Sequence, residues 1–197
     1  NPAFMEYVSH VLPALGEDSV DQRAVAELVG VEVTRADPLE VQRAKADPHV
    51  AGEVRDLAES ATDGEPQELV VRLEGRFVGV EADEVAELLA VTREEHGIST
   101  IARERFRMDV LRRFYEDYGV RLGGQAYRNF EEVERALRRD GLLTKFLNGT
   151  WPMPKPEQVV RRLSVMQRSR RGWSDADLPL LDEARAMLLG PPQQYGH

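Results

Sequence analysis

The chain has 197 residues, 42% of them hydrophobic, with 26 Lys and Arg against 35 Asp and Glu and a formal net charge of −9. That length and apolar content suffice for one substantial core or two small ones and exclude a disordered tail. The absence of cysteine excludes disulfides, thiolate catalysis and cysteine-ligated metal within these residues, and neither an apolar run of about 18 residues nor a signal peptide is present, so a soluble, cytoplasmic chain is expected.

In chain order, Phe4, Val8, Val11 and Leu12 form a helical stripe in "NPAFMEYVSHVLPALGE", closed by Pro13 and Gly16. Amphipathic segments follow at Val25 to Val29, after Pro38 through "LEVQRAKAD", and from Pro48 to Ala58. In "QELVVRLEGRFVGVEAD" the period falls to two. This predicts a hairpin turning near Glu74-Gly75, with Val71 and Leu73 on one side of Gly75 and Phe77 with either Val78 or Val80 on the other. Such a hairpin needs helices to pack on. Val85, Leu88, Leu89 and Thr92 restore the helical period, and a long helix from Ser99 to Tyr118 follows, with Ser99 as its cap. Ile101, Phe106, Val110, Leu111, Phe114 and Tyr118 lie on its apolar face.

"NFEEVERALRRDGLL" predicts a further helix with an Asn129/Glu132 capping box, and "NGTWPMPKP" a rigid connector. A helix from Pro156 would carry Val159, Val160, Leu163 and Met166. The segment "GWSDADLPLLDEARAMLLG" predicts a final helix with Ser174 as cap, Asp177 in the capping-box position and an adjustment at Pro179.

Catalytic signatures are missing. His10, His49, His96 and His197 have no metal-ligand spacing, no GxxxxGK[ST] loop cradles a phosphate, and no serine stands in a GxSxG turn. Asp182-Glu183 resembles a divalent-metal pair, but Leu180, Leu181 and Met187 around it read as the buried face of an ordinary helix. These residues alone are therefore expected to be inactive, holding neither cofactor nor metal.

Charge is unevenly distributed. Residues 1–100 carry 22 acidic and 8 basic side chains, and residues 101–197 carry 13 and 18. Such asymmetry can focus a partner onto one face, although helical surfaces also vary in charge without function. The basic candidates are Arg103, Arg105, Arg107, Arg112 and Arg113 on one helix, Arg135, Arg138 and Arg139 on the next, and the acid-free run of Arg161, Arg162, Arg168, Arg170 and Arg171. Only that last run stands out from ordinary helical surface as a candidate nucleic-acid or acidic-partner surface. Phe106 and Phe114 could stack on bases but read better as core.

Three stretches in order, "NPAFMEYVSHVLPALGE", "LNGTWPMPKPEQVVRRL" and "GWSDADLPLLDEARAMLLGPPQQYGH", resemble HelD-type superfamily 1 helicases, the UvrD/Rep-like ATP-dependent motors. The resemblance implies a fragment between Walker A and Walker B, with the Walker A loop before Asn1 and the Walker B strand after His197. Residues 1–20 would be the motif Ia segment of the first RecA-like domain, 21–171 a helical insertion with its hairpin near 69–80, and 172–197 a return helix. The expected fold is thus a predominantly α-helical insertion domain with a small β-hairpin, attached to the rim of a RecA-like α/β domain. The stretch between Leu163 and Gly172 is shorter than the family pattern.

The implied role is an insertion that contacts core RNA polymerase and helps release it from nucleic acid, with ATP and Mg2+ bound elsewhere in the parent motor and no membrane involved. Related motors move 3′ to 5′ on single-stranded DNA. A DNA-tracking module or a structural brace are the alternatives. Candidate nucleic-acid contacts are Asn1, at the start of motif Ia, Phe4, Arg161, Arg162, Arg168, Arg170 and Arg171. Candidate polymerase contacts are Glu53, Asp56, Glu59, Asp63, Glu65 and Glu68, whose charge suits a channel that admits nucleic acid.

Overall fold

The computed structural model describes residues 29–123, 128–168 and 172–190. Asn1, Phe4, Arg170, Arg171 and the expected helix at 4–12 lie outside them, as does the side chain of Arg168. The chain forms α1 (Leu39–Lys45), α2 (Pro48–Thr62), a hairpin of β1 (Leu69–Leu73) and β2 (Arg76–Val80), then α3 (Ala82–His96), α4 (Thr100–Arg121), α5 (Phe130–Arg139), α6 (Leu142–Thr150), α7 (Pro156–Val160) and α8 (Leu178–Leu189). Short 3-10 turns at Ser164–Arg168 and Asp175–Asp177 lead into the last helix. It is a mostly α-helical domain with one small antiparallel hairpin.

Local chemistry sets the boundaries. The Asp47 side chain accepts from His49 N, and Pro48, which lacks an amide proton, occupies the first turn of α2. Ser99 Oγ accepts from Ala102 N at 3.2 Å to start α4. Asn129 and Glu132 form the reciprocal box at the start of α5, each bond 2.9 Å long.

The hairpin is antiparallel, pairing Leu69 with Val80 and Leu73 with Arg76 across the turn. Glu74 (φ 45°) and Gly75 (φ 81°) both take the left-handed conformation of the tight turns that match strand twist. This register puts Leu69, Val71, Leu73, Val78 and Val80 toward the helices. Phe77 pairs with Arg72 on the opposite face and is 70% exposed.

Three helical expectations change. Ile101 is 51% exposed because Ala102 takes the buried position of the first turn of α4. The segment beyond Asn129 is two helices, since Gly141 (φ 69°) breaks it between Arg139 and Leu142. The helix beginning at Pro156 ends at Val160, and Leu163 and Met166 reach the core from a turn and a 3-10 segment instead.

The described residues form two cores. The first gathers the hairpin, α3, α4, α5 and α6 around Phe106, whose ring centroid is 6.2 Å from Phe146 and 5.6 Å from Trp151. The second joins Val29 and α2 to α7, Leu163, Met166 and the Leu180, Leu181, Ala184 and Leu188 face of α8. Met153, in the proline-rich connector, packs against both. No described helix is long and apolar enough to cross a membrane.

Candidate functional site

The second core turns one face of α2 inward through Val50, Val54, Ala58 and Thr62 and thereby leaves its acids outside. Asp56, Glu59, Asp63, Glu65 and Glu68 are all exposed. Asp63 pairs with Arg93 of α3 at 2.8 Å. Glu53 does something different. Its carboxylate accepts from Ser164 N at 2.8 Å and Ser164 Oγ at 2.9 Å, so it caps the 3-10 turn after α7 and is occupied internally.

Beside these acids a cleft of about 850 Å³ opens between α2, the α3–α4 junction and the end of α8. Asp56, Glu59 and Asp63 line one side with Glu94 beyond them, while Ile98, Ala186 and Met187 supply apolar surface. Sequence reading found the α2 acids but not Glu94, Ile98 or Met187. Those residues come from three separated segments, and nothing local marks them as neighbours.

The arginines are mostly committed within the fold. Arg107 is buried and donates to Glu104 and, at 2.6 Å, to Glu134. Arg103 donates to Trp151 O and Asn148 Oδ1, Arg112 to Asp109, and Arg113 to Glu84 and Glu116. Arg138 and Arg139 pair with Glu134 and Asp140. The Arg107 guanidinium is held above the ordinary arginine range, first by its Glu104 hydrogen bond. Exposed pairs of this kind contribute little stability, but they offset the positive potential a phosphate would meet.

Arg161 folds back over the indole of Trp173, 3.9 Å from its centroid, and donates to Gly172 O at 3.2 Å. Arg162 is exposed on the following turn. Phe106 and Phe114 are wholly buried, and Asp182 and Glu183 sit on the outer side of α8, with Glu183 3.7 Å from Arg55. Among the described residues no three His, Asp or Glu side chains converge as metal ligands.

A buried ionic cluster lies apart from the cleft. Lys45 Nζ is 2.7 Å from Asp37 Oδ2 and 2.5 Å from Asp177 Oδ1, Arg35 pairs with both acids, and Ser174 N donates to Asp177 Oδ2 at 2.9 Å. Ser174 Oγ, 2.5 Å from Asp37 Oδ2 and 3.0 Å from Asp177 Oδ2, shares one proton between two carboxylates. Burial alone would raise the Asp37 carboxyl, but hydrogen bonds from Lys45 and Ser174 and the charges of Lys45 and Arg35 outweigh it and hold it below the usual range.

With two acids, two cations and every carboxylate oxygen engaged, the cluster reads as a structural clasp. It fastens residues 35–45 to the return segment, where Thr34 N and Arg35 N also donate to Trp173 O and Val33 bridges Trp173 in parallel. The sequence marks Asp177 only as a capping-box acid. The roles of Arg35, Asp37 and Lys45 carry no local sequence signal.

No family model matches the chain, and no curated protein matches it.

Proposed function

We propose that this chain is a non-catalytic, protein-docking insertion of a HelD-type, UvrD-like motor, attached to the rim of a RecA-like domain. In this role it contacts core RNA polymerase while the parent ATPase, with its ATP and Mg2+ bound outside these residues, helps release polymerase from nucleic acid. The observation that carries the proposal is the division of charge in the fold: Asp56 and Glu59 of α2 project into solvent, while most arginines of α4 and α5 are turned onto intramolecular acceptors, Arg105 and Arg135 being the exposed exceptions. A surface of that sign suits a basic protein wall and repels phosphate. The clasp adds support, since it holds the segments near Val33 and Trp173 side by side, as a module inserted into another domain requires.

Binding to purified core RNA polymerase, followed by co-migration on a sizing column at two salt concentrations, tests this directly. Co-migration of the 197-residue chain, weakened by Asp56→Lys with Glu59→Lys, is the expected result. Absence of co-migration at both salts counts against docking by this chain. Binding to single-stranded DNA with a steep inverse salt dependence would favour the DNA-tracking alternative.

A further inference from the structure

The cleft beside α2 has two unlike sides, and their combination says more than the acids alone. Ile98 and Met187 are partly buried on the second core yet line the opening, and Ile101 stands beside Gly190 at its edge with half its surface in water. The apolar surface is small, and what distinguishes it is the exposed acids of α2 standing beside it in the same cleft.

The size is also suitable. About 850 Å³ falls within the range of clefts that hold a small molecule, which is room for a few side chains of a longer peptide. Asp56, Glu59 and Glu94 set the sign of the occupant: of the basic residues that also line the cleft, Arg93 is paired with Asp63 and donates to Thr62 O, Arg55 lies 3.7 Å from Glu183 and His96 lies 3.5 Å from Glu95.

We infer that this cleft captures one basic peptide segment of a protein partner, seating an apolar side chain against Ile98, Ile101 and Met187 while its lysines or arginines meet Asp56, Glu59 and Glu94. This rests on the protein-docking reading and goes further by naming the surface and the chemistry of the segment it takes. The acids would govern encounter and orientation, and the apolar wall would govern how long the segment stays.

The probe is a 12-residue peptide with lysine and leucine at helical spacing, compared with an all-lysine peptide of equal length, each titrated against the 197-residue chain by calorimetry. The lysine-leucine peptide is expected to bind at least about tenfold more tightly than the all-lysine peptide. Asp56→Lys with Glu59→Lys should weaken it about tenfold or more, and Ile101→Ser several-fold, whereas Glu131→Lys on the exposed side of α5 should leave it within about twofold. Circular dichroism melts confirm that each variant is folded.

Equal affinity for the two peptides, no binding of either, or equal losses from the α2 and α5 charge reversals would overturn the inference. Core polymerase binding by the same variants separates the two proposals. Retained co-migration of the Asp56, Glu59 double variant removes the cleft as the docking surface and leaves polymerase docking standing. Peptide binding without polymerase co-migration does the reverse.

Discussion

Lys45 and Asp177 form an ion pair of 2.5 Å between side chains that are both wholly buried, 132 residues apart in sequence. Each charge is costly to desolvate, and the pair persists because Asp37, Arg35 and Ser174 complete its hydrogen bonds. Buried ion pairs of this kind often add less stability than a well-packed apolar substitute, but breaking one side leaves an uncompensated charge in the interior.

Replacing Lys45 with Met should therefore cost about 3–5 kcal/mol in urea unfolding, because two carboxylates then share one cation. Adding Asp177→Leu removes one charge of each sign and should recover a large part of that loss. If the double variant is as unstable as the single one, the loss comes from packing and not from the stranded charge.

Asp37 predicts the acid limb of the stability curve. Its carboxyl is lowered by folding, so its contribution is complete above the unfolded carboxylate value of about 3.9 and disappears as pH falls through the lower folded value. Asp37→Asn should be less stable than the parent at neutral pH and should lose less melting temperature on going from about pH 5 to about pH 2. Parallel melting curves across that interval would show that Asp37 is not a linked group.

Glu53 and Glu59 lie on one helix but should respond differently. Glu53→Ala removes the cap on Ser164 and should cost about 1 kcal/mol of stability while leaving polymerase co-migration intact. Glu59→Lys should change stability by no more than about 0.5 kcal/mol and weaken the partner. A reversed pattern would move Glu53 back among the contact residues.

Phe106 and Phe77 test the placement of the aromatic residues. Phe106→Ala opens a cavity between Phe146 and Trp151 and should cost about 3–5 kcal/mol, whereas Phe77→Ser on the outer face of the hairpin should change stability by less than about 0.5 kcal/mol. Urea unfolding midpoints of the two variants distinguish the faces.

What was legible in the sequence followed the range of the interaction. Ser99, Asn129 and the Glu74-Gly75 turn act on residues within a few positions, so their types alone located two helix starts and the hairpin turn. Alternation in the second strand gives two faces without saying which is inward; pairing Leu69 with Val80 puts Val78 and Val80 inside and leaves Phe77 outside. Ile101 failed for a related reason, since a helical stripe blurs at its first turn, where only packing decides between neighbouring positions. Arg35, Lys45 and the two unlike sides of the cleft were invisible because their partners lie far along the chain. The acids of α2 could be picked out by charge, but Glu53 could not be separated from Asp56 until Ser164 was seen beside it.

The placement of Trp151 and Trp173 gives the molecule an optical reporter on each side of Met153. They are its only two indoles. Trp151 is sealed in the first core, whereas Trp173 rests half-buried on the second beneath the Arg161 guanidinium. Emission from the first should be blue-shifted and poorly quenched by iodide, and emission from the second redder and more accessible. Two single Trp→Phe variants would then report the two halves separately. Because Met153 packs against both, their unfolding midpoints should coincide, making the two halves one cooperative unit that responds as a whole when either is strained.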